Sequence, residues 1–192
     1  MNEAFRSYLK DRKTEVTDEQ LEFWSSLFIN KKIRKSEFLF REGEVCKYLT
    51  FVISGCLRLY TVDNKGKEHI MQFAPENWWV SDMDSFSKYV PSIYYLDALE
   101  ESEVLLIDFA SQEKVLSIIP AAAALFQQLL QNRQAATQKR IIFSMSASAE
   151  EQYKDFLKTY PNLSKRLPQH MIASYIGITP ESLSRIRKIS RQ

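Results

Sequence analysis

The chain has 192 residues, enough for one large domain or two small ones around a packed core. Its 45% hydrophobic and 12% aromatic content, with four Gly and six Pro, excludes a disordered tail or a low-complexity linker. The net charge of +2 is small but uneven: residues 161–192 hold six Lys/Arg and one acid, leaving 20 basic and 23 acidic residues before them, so the C-terminal end is the one suited to a polyanion.

Residues 1–32 carry a helical pattern. Phe5, Tyr8 and Leu9 precede a polar break, and Thr17 with Gln20 then forms a capping box for a helix through Leu21, Phe23, Trp24 and Leu27. From Ile33 to Phe109 the runs become short and β-rich, at 38–41, 48–53, 56–62, 69–73, 93–99 and 104–108. Turn residues at Gly43, Ser54-Gly55 and Asn64-Lys65-Gly66 separate them. Six to eight strands at this spacing predict a jelly roll or barrel. Cys46 and Cys56 have neither CxxC nor mixed Cys/His spacing, so they are expected to be reduced thiols rather than metal or cluster ligands.

Ser111 begins a short helix to Ile118, and Pro120 suits the start of a long one, because residues 121–146 are strong helix formers without Gly or Pro. Phe126, Leu129, Arg133, Ala136, Arg140 and Phe143 alternate at spacings of three and four, which makes one seam, weakened by its two arginines. The seam packs either on its own barrel or on a second copy. The second is preferred on the strength of the C-terminal stretch that follows. Ser148 then caps a shorter helix, with Glu150 and Glu151 in its first turn, running to Tyr160-Pro161.

The last stretch reads as two helices and a tight turn. Pro168 suits a first helical turn, and Met171, Ile172, Tyr175 and Ile176 follow at helical spacing. Gly177 supplies the positive φ that ends this helix, Thr179 caps the next, and Pro180 and Glu181 occupy its first turn. Leu183 and Ile186 point inward and Ala173 permits close approach, while Glu181, Ser182, Arg185 and Lys188 point away. A helix of this kind in the major groove reads bases: Arg185 has the fork for guanine, Glu181 can accept from a cytosine amino group, and Ser182 can meet base or phosphate. Arg187, Lys188, Arg191, Lys165 and Arg166 are candidates for phosphate contacts. The expected DNA-binding set is Thr179, Glu181, Ser182, Arg185, Arg187 and Lys188. A merely solvated basic face is the plainer alternative; the spacing of Ala173, Gly177, Leu183 and Ile186 favours DNA.

The stretch 172–189, IASYIGITPESLSRIRKI, resembles the recognition motif of the catabolite activator and fumarate/nitrate regulator (Crp/Fnr) family of bacterial transcription factors. In that family a turn Gly is followed by Glu and, four residues on, Arg, both reading bases; these match Gly177, Glu181 and Arg185. Pro180 stands where members often carry another Arg, so recognition of that base should differ. The resemblance in plan covers nearly the whole chain. It implies an α+β fold: a double-stranded β-helix, the jelly roll of cyclic-nucleotide-binding-like domains, over residues 1–119, with Arg41-Glu42-Gly43-Glu44 at its usual turn. A long dimerisation helix over 120–147 and a winged-helix-like helix-turn-helix domain over 148–192 would follow. It further implies a homodimer on double-stranded DNA, with RNA polymerase as a further partner. The two cysteines do not supply the four-cysteine cluster of an oxygen-sensing member.

Family members that bind a cyclic nucleotide hold its phosphate with a Gly-Glu helix turn and an Arg followed by Ser or Thr. Residues 75–99 contain neither Gly nor Arg; Ile93-Tyr94 stands about where the Arg pair is expected, Lys88 is the one cation, and Asp82, Asp84 and Asp97 would repel an anion. No cyclic-AMP binding through those contacts is expected. Trp78, Trp79, Phe86, Tyr94 and Tyr95 form either an effector pocket or barrel core, so an unidentified small molecule or no effector at all remain open. Two other functions fit parts of the pattern: a cyclic-nucleotide-responsive regulator with an unfamiliar phosphate site, and a cupin-like metal enzyme. Against the enzyme, Glu68 and His69 are adjacent and point to opposite strand faces, the other histidine is His170, and no catalytic motif appears. With no secretory segment or twenty-residue apolar run, a cytoplasmic protein without a membrane partner is expected.

Overall fold

The computed structural model describes residues 3–189, so Arg191 lies outside the described residues. The chain forms two compact units: residues up to 62 with 71–129, and residues 63–70 with 130 onward. No single helix among the described residues is long and apolar enough to cross a membrane.

The first unit opens with α1 (Glu3–Asp11) and α2 (Asp18–Ser26), the latter started by the Thr17–Gln20 capping box. Eight strands follow: β1 (Ile29–Ile33), β2 (Phe38–Phe40), β3 (Tyr48–Ser54), β4 (Leu57–Val62), β5 (Glu68–Ala74), β6 (Trp79–Val80), β7 (Tyr95–Ala98) and β8 (Ser102–Asp108). They make two four-stranded sheets, β1-β8-β3-β6 and β2-β7-β4-β5, with antiparallel pairing. Alternation along the strands turns Leu57, Leu59, Leu96 and Ala98 into the core and leaves Arg58, Tyr60, Tyr95 and Asp97 on the opposite face. Phe5 of α1 closes the core, its ring edge-on to Trp24, Phe28 and Phe51 at 5.0, 5.0 and 5.4 Å. Each such side chain contributes about 1.5–3 kcal/mol of transfer free energy. Gly55, at φ +89°, is required between β3 and β4, since a Cβ there would lie 2.2 Å from Ser102 Oγ and 2.7 Å from the Glu101 carbonyl.

Three elements differ from the sequence expectation. Residues 29–33 form a strand, not the end of a helical region, and pair along five residues with β8. Asn30, Lys31 and Lys32 hide it, being the polar residues that protect a sheet edge from further pairing. Strand β6 and the short helix α3 (Met83–Lys88), capped by Asp82, also escaped the pattern because each is too brief to show a period. After β8 come α4 (Phe109–Ile118) and the 27-residue α5 (Pro120–Ser146).

Helix α5 covers the two ends of the expected seam and leaves Arg133 and Ala136 exposed between them. Phe126 is buried against Trp24 and Trp79, and Leu129 packs on the same core. In the second unit the Arg140 guanidinium lies 4.9 Å over the Tyr175 ring, and Phe143 lines a groove with the next helix. The apolar residues left exposed are Leu130, Ile141, Ile142 and Met145. At 100° per residue that stripe lies about 140° round the helix from the expected seam.

The second unit continues with α6 (Ala149–Thr159), α7 (Leu163–Arg166), α8 (Gln169–Ile176) and α9 (Pro180–Ile189) around Tyr153, Phe156, Tyr160, Leu163, Ile172, Ala173, Ile176 and Leu183. Residues 149–189 are helices and turns throughout, so the strands of a wing are not among the described residues. The tip at 63–70 belongs here: Ser174 Oγ donates to the Glu68 carbonyl at 2.8 Å and accepts the Ile70 amide at 3.1 Å.

Candidate nucleic-acid interface

Helices α8 and α9 are built as the residues dictate. Gly177 ends α8 at φ +78°, where a Cβ would have open space, so conformation and not crowding selects glycine. The Ile178 amide reaches back 3.0 Å to the Ala173 carbonyl. Thr179 Oγ1 accepts the Ser182 amide at 3.2 Å and starts α9. Leu183, 0% exposed, anchors α9, which packs on α6 and α8.

This anchoring turns Glu181, Arg185 and Lys188 to solvent on one helical face, at spacings of four and three. Ser182 and Arg187 are partly covered; Lys165, Arg166 and Thr179 are exposed. The Thr179 and Ser182 hydroxyls lie 3.1 Å apart, and Arg185 Nη2 donates to Ser182 Oγ at 3.4 Å. The Glu181 carboxyl is held below the usual carboxylate range by its own amide, by the Thr179 hydroxyl and by the Arg185 charge, so it is an acceptor at neutral pH. The result is an anionic acceptor and a cationic fork one turn apart on an exposed edge.

In the roll, Asp82 Oδ1 accepts the Asp84 and Ser85 amides at 3.2 and 3.4 Å, and Oδ2 accepts the Ser92 hydroxyl at 2.7 Å. Ser92 is tied to the 41–44 turn, its carbonyl accepting the Gly43 amide and its amide donating to the Glu44 carbonyl. The first amides of α3 are thus already satisfied by the protein's own carboxylate. Asp84 pairs with Lys88, and Asp97 with Arg58, whose Nε and Nη2 donate to the two carboxylate oxygens at 2.8 and 3.1 Å. This corrects the expectation of three repelling carboxylates: two are neutralised within the chain. The sequence reading missed Arg58 because its partner is 39 residues away and only strand register sets the two opposite each other.

The aromatic set is distributed among several neighbours. Trp79 donates from Nε1 to Tyr8 Oη at 3.1 Å and packs on Phe51 and Phe126. Phe86 is edge-on to Phe109, Tyr95 stacks on Tyr60 and bonds Glu42, and Trp78 and Tyr94 lie against the core. His69 Nε2 lies 2.9 Å from Asp63 Oδ2.

A family model described as a cyclic nucleotide-binding domain matches residues 30–118, which is the roll. The chain is 28% identical over 170 residues to the fumarate and nitrate reduction regulatory protein of Salmonella typhi, covering 81% of this chain and 66% of that one. The chain is thus similar to regulators of the Crp/Fnr family. It therefore spans just under two-thirds of that relative's length. Two solved structures of the family share its fold. FixK2 from Bradyrhizobium japonicum superposes with a TM-score of 0.70 at 20% identity, covering 84% of this chain and 83% of that one. A crp/fnr-family transcriptional regulator from Eubacterium rectale superposes with a TM-score of 0.69 at 16% identity, covering 96% and 88%. Crp/Fnr relatives are transcription regulators and not enzymes, which sets the cupin alternative aside.

Proposed function

We propose that this Crp/Fnr chain is a sequence-specific regulator that binds double-stranded DNA as a homodimer, with α9 in the major groove. The observation that carries the reading is the exposed edge of α9: Glu181 and Arg185 stand one turn apart over a fully buried Leu183. Arg185 reads guanine O6 and N7, Glu181 a cytosine amino group, and Ser182 a base or phosphate. Thr179, Arg187, Lys188, Lys165 and Arg166 serve the backbone. The division of labour is a sensor roll at 1–119, a pairing helix at 120–147 and a reader at 148–192. Two copies of α5 pair through the stripe that contains Leu130, Ile141 and Met145, along a helix about 40 Å long. A cytoplasmic setting and contact with RNA polymerase complete the reading.

The roll does not take cyclic AMP through the family's phosphate contacts, because its one buried guanidinium among these strands, Arg58, is already held at both ends of the Asp97 carboxylate. The match of residues 30–118 to the cyclic nucleotide-binding model favours one second reading, in which the phosphate is held in another way. Calorimetry with cyclic AMP and cyclic GMP separates the two, and heat of binding lost on substitution within 78–97 would establish the second. Selection of bound duplexes from a random pool tests the main reading. A palindromic winner supports specific binding and pairing together; indifference to every duplex at low salt overturns it.

A further inference from the structure

The turn between β4 and β5 carries two lysines on a frame that is fixed from within and from outside. Within it, Asp63 Oδ1 accepts the Lys65 and Lys67 amides at 2.9 and 3.0 Å, and Oδ2 lies 2.9 Å from His69 Nε2. The Asp63 backbone closes the same loop, its amide donating to the Lys67 carbonyl at 3.0 Å and its carbonyl accepting the Gly66 amide at 2.8 Å. The carboxylate is therefore turned onto the turn's own amides and imidazole. Lys65 and Lys67 are exposed, and among the described residues neither ammonium group is paired with a carboxylate.

The outside support comes from α8. In an extended strand the carbonyl of one residue and the amide two residues on point to the same edge. On β5 these are the Glu68 carbonyl and the Ile70 amide, and Ser174 Oγ engages both, at 2.8 and 3.1 Å. One hydroxyl thus fills the strand edge and seats the turn on α8, within one compact unit. The buried face of α8 is Ile172, Ala173 and Ile176, and Ser174 lies about 150° round the helix from the middle of that face. The basic turn accordingly sits on the side of α8 away from its core.

Where two such helices bind a duplex, the second enters the major groove and the first crosses the sugar-phosphate backbone. Here α8 is the first helix. A basic turn seated on its outer side is carried beside the backbone and not into the groove. We propose that Lys65 and Lys67 contact phosphates of the duplex next to the half-site read by α9, and that Ser174 is the positioning residue that holds them there. The proposal rests on the reading that places α9 in the major groove. Lysine suits the task, being a point charge on a flexible stem that meets a phosphate without the fork geometry of base reading.

The test uses the full chain and its selected operator, with binding titrated at several salt concentrations. Each phosphate contact contributes about 0.9 to the slope of log affinity against log salt. Lys65→Ala combined with Lys67→Ala should therefore lower the slope by about 1.8, weaken all duplexes alike and leave the ranking of single-base operator variants unchanged. Lys32→Ala, which removes the same charge from exposed β1, should leave the slope as it is. Ser174→Ala should reproduce most of the loss with both lysines present, and adding the two lysine substitutions to it should change little more. Thermal unfolding run alongside should show every variant folded. An unchanged slope in the folded double-lysine variant overturns the proposal while α9 keeps its place in the groove. An altered base ranking also overturns it, since the contact would then be to a base, and an unchanged slope in Ser174→Ala overturns the role of that hydroxyl. If the wild-type chain binds no duplex at low salt, the reading of α9 fails first and the proposal falls with it.

Discussion

Arg185 and Lys188 lie three residues apart on one exposed face, yet their substitutions should behave differently. Arg185→Ala removes a bidentate donor from one base and is expected to cost about 1–3 kcal/mol and to relax preference at that position alone. Lys188→Ala should weaken all sequences alike and flatten the salt dependence. Binding titrations of the selected operator and its single-base variants, at several salt concentrations, check both. In the roll, Arg58 and Asp97 are 8% and 4% exposed, so Arg58→Leu or Asp97→Leu alone should destabilise by about 3–5 kcal/mol by stranding the partner, and the double substitution by much less. Denaturant unfolding of the three variants decides this. Cys46 is fully buried, and burial raises its thiol pKa, so it should react with a thiol reagent only as the protein unfolds. Glu181 and Arg185 were legible in the sequence because Gly177, Thr179 and Pro180 fix the start of α9 and hence which residues face outward. The Arg58–Asp97 pair was not, because nothing local joins two positions on non-consecutive strands.

Helix α5 shows how much a periodic pattern states about an element. The seam of Phe126, Leu129, Arg133, Ala136, Arg140 and Phe143 is covered at its two ends and exposed at Arg133 and Ala136, because periodicity carries no information on what lies against a helix along its length. The exposed face bears Leu130, Ile141 and Met145, interleaved with Gln and Thr, and so gave a faint signal. Ile141→Asp combined with Met145→Asp is expected to raise the dimer dissociation constant by about tenfold or more, since each buried apolar side chain contributes about 1.5–3 kcal/mol. Sedimentation over a concentration series measures it; Phe143→Ala, on the covered face, should leave the constant nearly unchanged. Strand β1 makes the same point for sheets. Its lysines fell within the helical region read over 1–32, because an edge strand is selected for how it avoids partners as much as for how it pairs.

Across the molecule, the succession of roll, long helix and C-terminal helical domain was legible because the hydrophobic period changes from two to three and four between them. The interleaving of the two units was not. The 63–70 tip joins the second unit through contacts that no local pattern announces. Asp63 holds that tip: Oδ2 pairs with His69, and Oδ1 accepts the Lys65 and Lys67 amides at 2.9 and 3.0 Å. The His69 bond first, and the two amides next, lower its pKa from 3.8 to about 2. A carboxyl depressed on folding stabilises above its unfolded value of about 3.9, and this contribution is lost as pH falls from about 4 through about 2. A carboxyl titration by NMR should therefore give a midpoint near 2, and Asp63→Asn should remove the acid-induced rise in amide exchange at Lys65 and Lys67.

The hydroxyl of Ser174 and the amide of Ile70 are 104 residues apart in the chain. During synthesis the tip leaves the ribosome with its neighbouring strands and waits for a partner that emerges only after about a hundred further residues, five to twenty seconds later at ordinary elongation rates. Any nascent product released before Ser174 presents an unclaimed strand margin, the kind of surface that chaperones and proteases recognise. A finished molecule and an interrupted one thus differ at this margin by the two bonds of one hydroxyl.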